Sequence, residues 1–137
     1  MILSTIERIL CREVSVSRIR EWVYYLAYDP LPCRTLNTCR PGVGRSTLEE
    51  ADAVIRDALA DWGYDVDEQT VPVQCFRPDE SVPHGFQKPV PGDPWLEAVN
   101  ITVTSPGTQP DAGSIVLIAH KDSQSWLEGG PGAYDNA

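Results

Sequence analysis

The first half of the chain begins with a segment whose apolar residues recur every three or four positions. That spacing places them on one face of a helix, and the residues are Ile19, Trp22, Val23 and Leu26. Asp29-Pro30 follows, and proline disfavours helical backbone in the residue before it. The pattern predicts a helix from about Ser17 to Ala27.

A second helix is predicted after a loop at residues 33–45. Thr47 with Glu50 makes a capping box, and Ser46 with Glu49 is an alternative register of the same motif. Glycine ends helices well because it adopts left-handed backbone, and Gly63 stands at that place. The face expected to be buried consists of Leu48, Ala51, Ile55, Ala58, Leu59 and Trp62.

Beyond Gly63 the apolar period changes to two, which is typical of strands. One strand is predicted through Tyr64, Val66, Val71, Val73 and Cys75, and Pro72 within it favours an edge position. Another is predicted through Val99, Ile101 and Val103. The residues between them, 77–97, contain five prolines, so we expect a long surface loop there.

A continuous apolar run, Ser114–Ala119, precedes the sequence His120-Lys121-Asp122-Ser123. A run of this kind is typical of a strand covered on both faces by helices. In open α/β sheets, ligands bind beyond the carboxyl ends of such strands. The pattern therefore predicts a functional site at His120 and the residues after it.

The composition of the chain argues against several classes of function. The 137 residues suit one domain, and a net charge of −9 argues against binding to nucleic acid. No stretch approaches the roughly 20 apolar residues that cross a bilayer, so we expect no membrane partner. The segment Met1–Leu10 carries both an acid and a base within its apolar run, which makes a poor signal peptide. A cytoplasmic protein is expected.

The cysteines do not form a recognisable metal motif. The four are Cys11, Cys33, Cys39 and Cys75, and no Cys-x-x-Cys spacing occurs among them. We interpret them as ordinary thiols, with a Cys33–Cys39 disulfide as the alternative in an oxidising compartment.

His120, Asp122 and Asp135 are the candidate residues for metal chemistry. Near a strand end, alternate side chains point to the same side, so the Asp122 carboxylate can reach the His120 imidazole. A carboxylate that accepts one ring N–H fixes the tautomer and makes the other nitrogen a better metal ligand. Asp135 lies fifteen residues after His120, within a turn-forming sequence rich in glycine. Taken alone, this spacing also fits a hydrogen-bonded structural pair.

The motifs themselves are more specific than the spacing. Ala119-His-Lys-Asp-Ser123 followed by Pro131-Gly-Ala-Tyr-Asp-Asn-Ala137 closely resembles the M28 family of metallopeptidases, whose motifs are His-x-Asp-Ser and Pro-Gly-Ala-x-Asp-(Asp/Asn)-Ala-Ser-Gly. The resemblance extends loosely upstream, to a first helix, an Arg34 loop, a helix ending in Trp62-Gly-Tyr64 and an outer strand.

The resemblance implies a zinc-dependent aminopeptidase with an α/β fold, a three-layer α/β/α aminopeptidase-like sheet that this chain contains in part. Two zinc ions would bind in the complete site, with His120 on one ion and Asp135 bridging both. Asp122 would orient His120. The substrate would be a peptide with a free amino terminus.

The family's later motifs supply a Glu-Glu pair, another acidic ligand and a final histidine, and no position up to Ala137 matches them. The general base is therefore expected beyond Ala137, and Lys121 receives no role. His84, the other histidine, lies in the proline-rich loop, in the wrong order. We expect residues 1–137 to be the amino-terminal part of one peptidase domain, inactive alone. Residues 1–63 would form a helical lead-in, and residues 64–137 would hold the strands, the 77–97 loop and the first metal-binding segment.

Two alternatives remain open on the sequence. One is a relative resembling glutaminyl cyclases, which share the fold but bind one zinc ion and cyclise their substrate. The other is a non-catalytic remnant whose sheet edge or proline-rich loop binds a partner.

Overall fold

The computed structural model describes residues 14–74, 78–79, 81, 85–86, 88–109 and 113–123. Within these ranges the chain forms two helices and four strands in a mixed helix and strand arrangement. They are α1 (Val16–Ala27), α2 (Thr47–Asp61), β1 (Val66–Gln74), β2 (Pro78–Asp79), β3 (Gly85–Phe86) and β4 (Trp95–Val103).

Helix α1 occupies the predicted position and is capped at its start. The Ser15 hydroxyl accepts a hydrogen bond from the Arg18 amide at 3.3 Å, which satisfies one of the amides left free in the first turn. The helix ends at Ala27, just before the Asp29-Pro30 peptide bond, which is cis. Pro30, from which the end of this helix was predicted, therefore lies shortly after its last residue, Ala27.

Helix α2 is also confirmed, but its capping box uses the alternative register. Ser46 is the cap, and its hydroxyl accepts from the Glu49 amide at 3.2 Å while Glu49 accepts from the Ser46 amide at 2.6 Å. Assigning the cap to Thr47 was wrong because the Thr47 hydroxyl is engaged elsewhere. It accepts from the Thr35 amide at 3.0 Å and donates to the Thr35 carbonyl at 3.2 Å.

The far end of α2 follows the prediction in its backbone but not in its burial. Gly63 has φ 86°, a left-handed conformation that suits glycine. Trp62, expected on the buried face, is 54% exposed because it lies after the last helical residue. Its ring packs edge to face against the Trp22 ring, with the two ring centroids 6.3 Å apart. Of the predicted face, only Leu48 and Ala51 are fully buried among the described residues.

The two long strands pair as an antiparallel ribbon. Strands β1 and β4 run in register from Val66 opposite Val103 to Gln74 opposite Trp95, and helix α2 contacts both. Pro72 is tolerated in β1, where it stands in a ribbon of only two strands. The loop predicted over 77–97 was partly wrong, since β4 begins at Trp95 and β2 pairs with β3 inside that range.

The apolar run before His120 does not form the predicted strand. Residues 113–121 have no strand pairing within the described part of the chain. Four consecutive side chains, from Ile115 to Ile118, are 74–92% exposed. The prediction of a strand covered on both faces fails here because none of the described strands pairs with this segment. Apolar sequence alone cannot supply the missing partners for its backbone groups.

The described centre of the molecule is more polar than apolar. The buried apolar residues are Leu31, Cys33, Leu48 and Ala51, whereas the buried polar ones are Arg34, Ser46, Thr47, Glu50, Asp52 and Ser123. Cys33 and Cys39 are both free thiols, so the alternative disulfide between them is not formed. In the described ranges no helix is long and apolar enough to cross a membrane.

We expect Ser46→Ala to destabilise the chain by about 1 kcal/mol, because the first turn of α2 loses its side-chain cap. Urea unfolding followed by circular dichroism measures the change. Ser105→Ala is the control, since Ser105 is exposed and lies outside the helices. Equal effects of the two substitutions would contradict the role of Ser46.

A second expectation concerns acid. Arg40 donates two hydrogen bonds to Glu50 and holds the pKa of that carboxyl below its usual value. A lowered folded pKa contributes stability above the unfolded value of about 4.3, and this stability is lost as the pH falls through the folded value. Arg40→Gln should raise the pKa of Glu50 and flatten the loss of stability in acid.

Carboxyl ¹³C titration by NMR and urea unfolding at several pH values test this expectation. Arg20→Gln, at an exposed position of α1, is the charge-matched control and should leave the pKa of Glu50 where it is. An unchanged Glu50 titration in Arg40→Gln would show that the ion pair does not form in solution.

Candidate functional site

His120 and Asp122 are in direct contact, as the sequence predicted. His120 Nδ1 lies 3.1 Å from Asp122 Oδ1 and 3.0 Å from the Asp122 backbone oxygen. Carboxylate and carbonyl oxygens only accept hydrogen bonds, so in the neutral ring the proton resides on Nδ1. Nε2 then carries the lone pair that a metal ion needs.

The four residues of the 120–123 segment alternate in burial. The side chains of His120 and Asp122 are 37% and 55% exposed, while that of Lys121 is 21% exposed and Ser123 is buried. The segment therefore has an outer side that carries the candidate chemistry and an inner side that attaches it to the rest of the molecule.

Arg34 provides most of that attachment. Its backbone N–H donates to Ser123 Oγ at 2.9 Å, and its carbonyl accepts from the Ser123 amide at 2.8 Å. Its Nε donates to the Lys121 carbonyl at 2.8 Å, and Nη1 donates to the Leu26 carbonyl near the end of α1. The 120–123 segment is thus joined to a residue that lies 87–89 positions earlier in the chain.

Lys121 makes the second attachment. Its ammonium forms an ion pair with Asp52, whose side chain is 8% exposed, in the buried first half of α2. Burial raises the pKa of Asp52, and the hydrogen bond from Lys121 acts in the opposite direction. The ion pair therefore offsets the desolvation of a carboxylate that the fold has buried.

The loop that carries Arg34 is itself held against the start of α2. The Thr47 and Leu48 amides donate to the Thr38 and Thr35 carbonyls at 2.8 and 3.2 Å, which satisfies amides that a helix start leaves free. Burial lowers the pKa of Arg34, and the nearby Asp122 carboxylate raises it. Arg34 and Asp122 are therefore coupled electrostatically as well as through the backbone.

Only some of the candidate metal ligands lie among the described residues. No group of three or more His, Cys, Asp or Glu side chains that could hold a metal ion occurs among the residues that the structure describes. Asp135 lies outside those residues. The described part supplies one imidazole in contact with a carboxylate, a pair of groups that zinc sites use but fewer than a zinc site needs.

The sequence analysis anticipated the contact between His120 and Asp122 but not the residues that hold this segment in place. It assigned no role to Lys121, and neither Asp52 nor the Arg34 side chain was linked to His120. The sequence contained one indirect signal of this support. Asp52 is an acidic residue next to Ala51, and both lie in the buried part of α2.

An open groove lies elsewhere, between α1 and α2. It has a volume of about 530 Å³ and is lined by Arg18, Glu21, Trp22, Tyr25, Val54, Asp57, Ala58, Asp61 and Trp62. None of these residues belongs to the 120–123 segment, so the groove is not part of the candidate site.

Comparison with known proteins does not assign the chain to a family. No family model matches the chain, and neither a curated protein nor a solved structure matches it.

We expect the Lys121–Asp52 pair to contribute a measurable coupling energy. Lys121→Met or Asp52→Ala alone should destabilise the chain by about 1–3 kcal/mol, because each leaves a largely buried charge without its partner. The double variant should lose less than the sum, by about 1 kcal/mol.

Arg56 and Glu68 form the matched control, an ion pair with side chains 43% and 37% exposed. The equivalent cycle there should give about 0.5 kcal/mol or less. Urea unfolding of the unmodified chain and the six variants measures both cycles, and equal coupling in the two would contradict a special role for Lys121.

Proposed function

We propose that the chain carries the first metal-binding segment of a zinc-dependent exopeptidase, an aminopeptidase of the M28 type. The observation that supports this most directly is the contact between His120 Nδ1 and the Asp122 carboxylate at 3.1 Å. It is the orientation that a zinc-binding histidine requires. The motif sequence around it, with Asp135 downstream, supplies the family.

In this proposal His120, through Nε2, and Asp135 would be among the residues that hold two zinc ions. Asp122 holds the imidazole in the binding tautomer. A zinc site of this kind polarises a peptide carbonyl and lowers the pKa of bound water to about 7. The substrate is a peptide with a free amino terminus, and the complete sheet is the three-layer α/β/α arrangement.

These 137 residues offer His120 and Asp135 as candidate ligands, and no position matches the family's general base. Zinc sites normally use three or four protein ligands, so we expect weak zinc binding and no peptide hydrolysis by this chain alone. A cytoplasmic location stays a prediction from the sequence.

Zinc titration of the full chain, followed by long-range ¹H–¹⁵N NMR of the imidazole rings, tests the proposal. The chain contains only two histidines, so each ring can be followed separately. We expect zinc to shift the Nε2 signal of His120 strongly and to leave the His84 ring unchanged. This readout also separates imidazole binding from any binding to the thiols.

His120→Ala and Asp135→Asn should each weaken zinc binding by about tenfold or more. His84→Ala and Asp65→Asn are the matched controls, the second at an exposed acid before β1, and should bind zinc as the unmodified chain does. Zinc binding that persists in His120→Ala would contradict the proposal.

A further inference from the structure

The backbone on both sides of Asp122 is fixed by one residue. The Lys121 carbonyl, which accepts from Arg34 Nε at 2.8 Å, lies in the peptide plane that enters Asp122. The Ser123 amide, which donates to the Arg34 carbonyl at 2.8 Å, lies in the plane that leaves it. Since a peptide unit is planar, fixing both planes fixes the two backbone angles of Asp122 between them.

Both oxygens that contact His120 depend on those two angles. The Asp122 backbone oxygen lies in the second plane, and the backbone angles set the direction of the Cα–Cβ bond from which the side-chain torsions place Oδ1. The Asp122 side chain is 55% exposed, so packing around the carboxylate contributes little to its position. Its orientation relative to His120 Nδ1 comes mainly from the backbone, and hence from Arg34.

An arginine is suited to this task in a way that lysine is not. Arg34 is buried, and its planar guanidinium reaches the Lys121 carbonyl with Nε and the Leu26 carbonyl with Nη1. A lysine ammonium carries the same charge on a flexible stem but lacks that fixed fork of donors. Lys121 lies between His120 and Asp122, and its ion pair with Asp52 holds its side chain in place. This ion pair opposes rotation of the segment about its own axis.

We propose that Arg34 is a positioning residue, which sets the imidazole tautomer and metal-binding orientation of His120 by fixing both peptide planes of Asp122. The metal-binding part of this inference rests on the proposed function. The tautomer part does not, because it concerns the metal-free chain.

Arg34→Lys tests the inference, with imidazole ¹⁵N shifts of the metal-free chain as the first readout. In the unmodified chain we expect the neutral His120 ring to carry its proton on Nδ1. In Arg34→Lys the two tautomers should become mixed, as they should in Asp122→Asn, which alters the accepting carboxylate directly. Zinc binding followed at His120 Nε2 is the second readout and should weaken about 10–100-fold, the usual effect of losing an orienting partner.

Arg40→Lys is the matched control. Arg40 belongs to the same loop but pairs with Glu50 and makes no hydrogen bond to the 120–123 segment. It should leave both the tautomer and the zinc affinity unchanged. If Arg34→Lys does not fold, an ester in place of the Asp122–Ser123 amide decides the question, because it removes the Ser123 N–H that donates to the Arg34 carbonyl and keeps the arginine.

The outcomes separate the two proposals. A folded Arg34→Lys chain that keeps the tautomer and zinc affinity of the unmodified protein overturns the positioning role. Where Arg34→Lys does not fold, the same result in the folded ester-substituted chain overturns it. An unmodified chain whose His120 ring does not respond to zinc overturns the proposed function. The tautomer comparison still decides the role of Arg34 in that case.

Discussion

Burial of the Arg34 guanidinium is the constraint on which the described structure depends. A guanidinium stays charged inside a protein and has only donors, so each of its buried N–H groups needs an acceptor. Here the acceptors are backbone carbonyls, those of Leu26 and Lys121, which belong to distant parts of the chain. Because leaving such a donor unpaired is costly, the end of α1 and the 120–123 segment are both held against the Arg34 loop.

The same requirement explains why polar groups hold the centre of the described fold together. Thr35 and Thr47 exchange hydrogen bonds between the loop and the start of α2, and Asp52 pairs with Lys121. Across the described residues no buried side-chain nitrogen or oxygen lacks a hydrogen-bond partner. Polar networks of this kind favour one arrangement over others, since a shifted register would leave several groups unsatisfied at once.

The sequence patterns predicted the features that depend on residues close together in the chain. The period of apolar residues located both helices and both long strands, and Gly63 marked the end of α2, because these signals act within a few residues. The sequence patterns failed where a distant partner decides the outcome. The Ser46 and Thr47 caps were equivalent locally, and only the use of Thr47 by the Arg34 loop separates them. The run from Ile115 to Ile118 was assigned to a covered strand, although burial requires a neighbouring element that the sequence pattern does not provide.

The candidate site shows the same division between local and distant causes. The His120–Asp122 contact was predictable because the two residues lie only two positions apart, although the backbone bends at Asp122 and does not form the expected strand. Its stiffness was not, since that depends on hydrogen bonds spanning 87–89 positions. Both side chains are partly exposed to water, so their hydrogen bond alone would hold this pair loosely. A metal site needs its ligand held within a fraction of an ångström, and in the proposed site neutral backbone groups tied to a buried arginine would supply that precision.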